Sequence, residues 1–272
     1  VVSGPNIFAG TNNGVFRTID NGLSWTQSGL TTQGVSSFAI SGTNLFAGTG
    51  DGVFLSTNNG TSWTSVNSGL TNTYVWSLTV SGTNLFAGSY GGGVFLSTNN
   101  GVSWTQVNVG LTNTWIQSLA VSGTSIFAGT TGGGVFRSTD NGSSWAQTGL
   151  TNTYVHSFGV SGTNLFAGTW VGVFRSTNDG TSWTDVNSGL TITGVYDFAV
   201  SGTSLFAGTN AGVYHSTNNG SSWAQANNGL LNTNVTSLIG SDQSLFAGIN
   251  GGGVFRSLDN GENWIAVNNG LT

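Results

Sequence analysis

The chain has no cysteine, no methionine, no lysine and a single proline. Without cysteine there are no disulfides, no thiol nucleophile and no thiolate-held zinc or iron–sulfur group, and the redox compartment stays open. Four arginines face nine acids, for a formal charge of −5. So few cations cannot neutralise a run of phosphates, which excludes sequence-independent nucleic-acid binding and attachment to an anionic membrane surface. No apolar run is long enough to span a bilayer as a helix, so membrane insertion is not expected. Charged residues are 5% of the chain and hydrophobic ones 37%, which leaves solubility to Ser, Thr, Asn and exposed peptide groups. The sequence opens without an initiator methionine or a leader pattern, and it reads as a mature or excised piece of something longer.

What is abundant is glycine, 45 of 272 residues, and it is spaced regularly. The tripeptide Phe-Ala-Gly begins at Phe8, Phe46, Phe86, Phe127, Phe166, Phe206 and Phe246, a period of about 40 residues. Each copy continues into Gly-Val-Phe, or Gly-Val-Tyr ending at Tyr214, and then into a Ser/Thr-x-Asp/Asn-x-Gly-x-Ser/Asn-Trp box. The boxes end at Trp25, Trp63, Trp104, Trp145, Trp183, Trp223 and Trp264. Repeats start near Ser3, Ser41, Ser81, Ser122, Ser161, Ser201 and Ser241, and the whole of 1–272 is expected to be one domain.

Within a copy the apolar pattern has period two, in short β-branched or aromatic segments separated by Gly, Asn and Ser. One copy predicts strand a over Val75–Val80, b over Asn84–Gly88, c over Val94–Ser97 and d over Ser103–Val107, with Asn99-Asn100-Gly101 as a tight c–d turn. No segment sustains a helical face. A four-stranded sheet cannot bury both faces alone, so the fold expected is all-β, a closed seven-bladed β-propeller of four-stranded antiparallel blades. Val1-Val2 align with the end of a strand a, and Gly270-Leu271-Thr272 stop where the next would begin, so one first strand is expected to be short.

The box, fullest in Ser138-Thr139-Asp140-Asn141-Gly142-Ser143-Ser144-Trp145, resembles the Asp-box, or bacterial neuraminidase, repeat, and the resemblance runs along the whole chain. It implies a propeller hairpin found in sialidases, xyloglucan hydrolases, assembly factors, lectin-like proteins and secreted bacterial surface proteins. Asn58, Asn99, Asn178 and Asn218 replace the Asp in four copies. A hydrogen-bond acceptor tolerates that change and an acid/base group does not, so the boxes are read as scaffold.

A sialidase-like site would need three convergent arginines, as the resemblance implies. Arg17, Arg137, Arg175 and Arg256 instead share one repeat position on separate blades, where side chains snorkelling outward are expected. A glycosidase needs two carboxylates about 5–10 Å apart. Asp20, Asp140 and Asp259 are box residues, Asp179 is in a box turn, Asp185 on a strand d, Asp242 in an a–b turn, and Glu262 follows a box glycine. Asp51 and Asp197 remain, on non-neighbouring blades. His156 and His215 occupy unrelated repeat positions, which argues against a nucleophilic triad and against a metal site. No catalytic residue, metal or cofactor is expected.

The copies differ where d–a and b–c connections meet, at one end of a propeller. At the start of strand a the series is Gly34, Tyr74, Trp115, Tyr154, Gly194, Asn234, and two residues later Ser36, Trp76, Gln117, His156, Tyr196, Thr236. Tyr90 and Trp170 lie in b–c loops, and Asp197 stands where other copies have Ser. Aromatic faces among Asn, Gln, His and Thr suit sugar rings or a protein surface. The expected site is therefore Tyr74, Trp76, Tyr90, Trp115, Gln117, Tyr154, His156, Trp170, Tyr196 and Asp197. The expected role is a non-catalytic, secreted or cell-surface bacterial module that binds carbohydrate, lectin-like, through these aromatics; the partner expected is a glycan or protein ligand, and a homo-oligomer is left open. The alternatives are a structural or docking propeller in a larger surface protein and a glycoside hydrolase.

Overall fold

The computed structural model describes residues 1–31, 33–191, 194–241 and 244–271; Asp242 lies outside them. The chain is an all-β, seven-bladed β-propeller of four-stranded antiparallel sheets, each with its strands in chain order. Among the described residues there is no helix, and so none long enough to cross a membrane.

Blade 3 shows why these residues form these elements. Its strands are a (Val75–Ser81), b (Asn84–Ser89), c (Gly93–Ser97) and d (Thr105–Gln106). Alternation sends Leu85, Ala87, Phe95 and Trp104 to one face, into a core shared with Phe46 and Val53 of blade 2. Phe86 and Val94 face the other way, against Ile116, Ile126 and Phe136 of blade 4. Strand b is thus buried on both faces, and the core lies between consecutive sheets. Each fully buried Phe contributes about 1.5–3 kcal/mol.

The c–d turn follows the expected chemistry. Ser97 Oγ accepts from Gly101 N–H at 2.8 Å and donates to Asn99 Oδ1 at 2.9 Å, and that oxygen also accepts from Ser103 N–H at 2.9 Å. Asn100 and Gly101 take φ of 57° and 82°. Strand d is shorter than its predicted Ser103–Val107, because its first residues are already bonded elsewhere. Ser103 N–H belongs to the turn, and Trp104 N–H reaches Ser68 O of blade 2 at 2.8 Å.

Contacts group the chain into two compact units: Val1–Gln147 with Asn269–Thr272, holding blades 1 to 4, and Thr148–Asn268, holding blades 5 to 7. In the first unit, blade 1 has the short first strand expected, Val2–Ser3, paired with Ile7 and Asn6. Asn269 O accepts from Trp25 N–H at 2.8 Å, as Ser68 O does from Trp104 N–H. The seven boxes are not equivalent, contrary to the uniform reading of the sequence. Five of their tryptophans are 3–5% exposed, whereas Trp63 and Trp183 are half-buried. Each of these two follows a blade whose chain after strand d is two residues shorter (Thr26–Leu30, Ala146–Leu150), which removes the Val-Asn pair present as Val66-Asn67. Trp104 Nε1 donates to Val66 O, while Trp63 and Trp183 turn to Ser28 O and Thr148 Oγ1.

Candidate functional site

The variable residue of strand a has a structural reason to vary. In every complete blade the a–b ladder slips by one residue near its top: Val75 pairs with Ser89 and Ser77 with Gly88, leaving Trp76 as a bulge. The same slip isolates Ser36 and Gln117 in the first unit, and His156, Tyr196 and Thr236 in the second. A bulge residue has no ladder partner and its side chain is re-aimed, so its identity is free to change without disturbing the sheet.

In the first unit the bulge at Trp76 belongs to an aromatic ridge. Tyr90 lies with ring centroids 4.7 Å from Trp76 and 4.3 Å from Trp115, and Tyr74 is 6.0 Å from both Trp76 and Tyr90. Tyr74 and Trp115 are 50% and 45% exposed, so the outer rings present free faces. The backbone beneath is fixed from both sides. Tyr90 N–H donates to Tyr74 O, and Gly91 and Gly93 N–H to Thr114 O. Asn72 accepts from Tyr74 N–H and donates to Tyr90 O, and Asn113 does the same for Trp115 N–H and Thr131 O. A shallow recess of about 350 Å³ beside the ridge is lined by Thr112, Asn113, Thr114, Trp115 and Thr131. Gln117 is half-buried on the next strand.

The second unit carries a different arrangement. His156, Trp170 and Tyr196 meet as a corner, with centroids 4.6, 5.5 and 5.7 Å apart and ring planes crossing at 87°, 70° and 90°. Trp170 is 46% exposed. Burial lowers the His156 pKa and keeps the ring neutral at pH 7, and its Nε2 is buried without a hydrogen-bond partner. Tyr154 is 46% exposed at the start of its strand.

Asp197 occupies a structural position rather than an open one. Ser37 and Ser77 Oγ each accept a backbone N–H from the following blade, from Leu78 and Leu119. Asp197 Oδ2 does the same with Leu238 N–H at 2.8 Å, while its Oδ1 takes Phe198 N–H at 2.9 Å. Burial raises its pKa to about 6, partly opposed by those two N–H donors.

The arginines are a correction. Instead of snorkelling outward, Arg17 and Arg175 donate to Asn59 O and Asn219 O in the next blade's box turn, Arg137 Nε donates to Ser125 Oγ, and Arg256 is buried. His215, in the same repeat position, stacks on Phe206 at 4.4 Å and 6°. The box acids are acceptors: the Ser24 and Thr18 hydroxyls and Ser24 N–H hold Asp20 down to about 2. Asp140 and Asp259 are lowered in the same way, led by Ser144 and Asn263. Among the described residues no three His, Cys, Asp or Glu side chains group as a metal site.

The sequence reading missed the bulge, the capping by Asn72 and Asn113, and the division of the aromatics between a ridge and a corner. The recurring Asn two residues ahead of the variable aromatic was the available signal for the cap.

A family model described as the DUF6242 beta propeller domain matches residues 165–271. No curated protein matches the chain. Among solved structures, the extracellular domain of a one-component system from B. thetaiotaomicron is similar at TM-score 0.77 and 19% identity, over 92% of this chain and 36% of that one. The GH74 xyloglucanase from Xanthomonas campestris gives 0.78 and 16% over 98% and 53%, and YCF48 from Cyanidioschyzon merolae 0.70 and 16% over 94% and 91%. The chain therefore spans about a third of the first of these proteins and about half of the second. At such identities the likeness is one of fold, and the fold is a β-propeller.

Proposed function

We propose that this propeller is a non-catalytic extracellular binding module, and that the ridge of Tyr74, Trp76, Tyr90 and Trp115 takes carbohydrate. The observation that carries this reading is the ridge itself: half-exposed rings on a backbone locked by hydrogen bonds, beside a recess lined by Thr and Asn. Rings stack on the C–H faces of a sugar while hydroxyls and amides bond its edges. A platform held rigid before binding loses little entropy when it is occupied. In the first unit the carboxylates are Asp20, Asp51 and Asp140, and two of them are tied in box turns, which leaves no acid pair for glycoside cleavage. The extracellular placement draws on the similar ectodomain.

Glycan-array screening followed by calorimetry tests the reading. Trp115→Ala and Trp76→Ala should each weaken binding at least tenfold, and undiminished binding in both would remove the site. A protein-docking role is the second reading, favoured by the openness of the ridge and by the similarity to YCF48 solved with a D1 peptide, at TM-score 0.69 and 16% identity. Turnover of a chromogenic glycoside by this chain alone would overturn the non-catalytic assignment.

A further inference from the structure

The corner in the second unit has a geometry that the ridge lacks. Ridge rings cross at 39–58°, which offers tilted faces to a flat guest. His156, Trp170 and Tyr196 meet near right angles, at 70–90°, which sets one half-exposed indole against two less exposed rings. We infer that this corner binds a methylated ammonium group, either a small quaternary ammonium compound or a methylated lysine side chain.

The three centroids lie 4.6–5.7 Å from one another, so a cation seated on the half-exposed Trp170 ring, in the angle it makes with the other two, falls within the ~6 Å reach of a cation–π contact. Methylated ammonium is the cation of choice there, because its weak hydration makes transfer into an aromatic corner cheap, whereas a primary ammonium holds its water tightly. Trp170, the strongest π donor of the three, is also the ring open to solvent. His156 brings no competing positive charge, since burial keeps it neutral.

Arg175, the arginine of Trp170's blade, is bonded to the backbone of Asn219 in the box turn of the next blade. The corner also depends on Gly194. A β-carbon there would stand 3.2 Å from Tyr196 Oη and 3.5 Å from Trp170 Cε3, and the repeat places Tyr74, Trp115 and Tyr154 at the equivalent position.

Calorimetric or Trp-fluorescence titration of the full chain tests this with choline, its neutral isostere 3,3-dimethylbutanol, a trimethyllysine peptide and the same peptide unmethylated. Choline or the trimethyllysine peptide should bind at least tenfold more tightly than its uncharged or unmethylated counterpart, and which of the two binds identifies the source. Trp170→Leu, which keeps apolar bulk on an exposed loop, should remove that preference, and Trp170→Phe should retain part of it. The inference is overturned if the folded wild-type chain binds neither ammonium probe, if choline and its isostere bind equally, or if Trp170→Leu leaves the preference intact. Trp115→Ala, which tests the ridge, should not change these titrations, so failure of one site is distinguishable from failure of the other.

Discussion

Asn72 and Asn152 sit in the identical hexapeptide Leu-Thr-Asn-Thr-Tyr-Val, yet they adopt different conformations. The neighbouring loop decides. Blade 3 has the longer b–c loop, Tyr90-Gly91-Gly92, and Asn72 caps its carbonyl; blade 5 has Trp170-Val171, and Asn152 is exposed in the left-handed region at φ 54°. Asn72→Gly loses two hydrogen bonds and should destabilise by about 1–2 kcal/mol. Asn152→Gly relieves a left-handed side chain and should be neutral or stabilising by up to about 1 kcal/mol. Urea unfolding of the two variants checks the contrast, and equal losses would show that the hexapeptides are held alike. Asp20 carries a second consequence at this scale. Its folded pKa of about 2 lies below the ordinary 3.8, so its contribution is present above pH 4 and is lost as pH falls toward 2. Asp20→Asn keeps the acceptor, as Asn58 and Asn99 do in their own boxes, and should flatten the acid limb of stability against pH.

At the scale of elements, adjacent first strands are clasped by the residue after the bulge. Asp197 performs in blade 6 the task of Ser37 and Ser77, but it also takes Phe198 N–H, and Ser157 Oγ is buried without a partner. With a folded pKa of about 6 against 3.8, the folded chain holds a proton that the unfolded chain has released, so stability falls as pH rises from about 4 to about 6 and then levels. This slope is opposite to that of Asp20. Asp197→Ser should abolish it, free Phe198 N–H for Ser157, and leave the chain more stable than wild type above pH 6. Thermal midpoints measured from pH 4 to 8 check this, and an unchanged slope would place the titrating group elsewhere. The strands and the c–d turns were legible in the sequence because alternation and Asn-Gly chemistry act within a few residues. The bulge was not, because it is a register slip between two strands that alternation alone does not mark, and the Asn72 cap and the half-exposed Trp63 and Trp183 were not, because each depends on the length of a loop elsewhere in the repeat or in the preceding blade. The aromatic candidates were found by their variation, but the sequence contained nothing that would separate a tilted ridge from an orthogonal corner.

At the scale of the whole molecule, the scarcity of charge becomes a statement about what holds the blades. Only 5% of residues are charged, and Arg17 and Arg175 bond carbonyl oxygens instead of carboxylates. Sheets within each unit are joined by apolar side chains such as Phe86 and Ile116, and by neutral bonds such as Trp104 Nε1 to Val66 O and Trp223 Nε1 to Val186 O. Salt screens charges over about 10 Å at 0.1 M and leaves apolar burial nearly untouched at moderate concentration. The urea unfolding free energy at pH 7 should therefore move by less than about 0.5 kcal/mol between roughly 0.05 and 0.5 M NaCl, where a fold laced with ion pairs would lose more. The box acids do not alter that expectation, since Asp140 and Asp259 are held by hydroxyl, amide and backbone donors within their own turns. A shift above about 1 kcal/mol would mean that charges well separated in sequence are coupled after all. In that case the −5 formal charge, concentrated in blades 5 to 7, would be the first place to look.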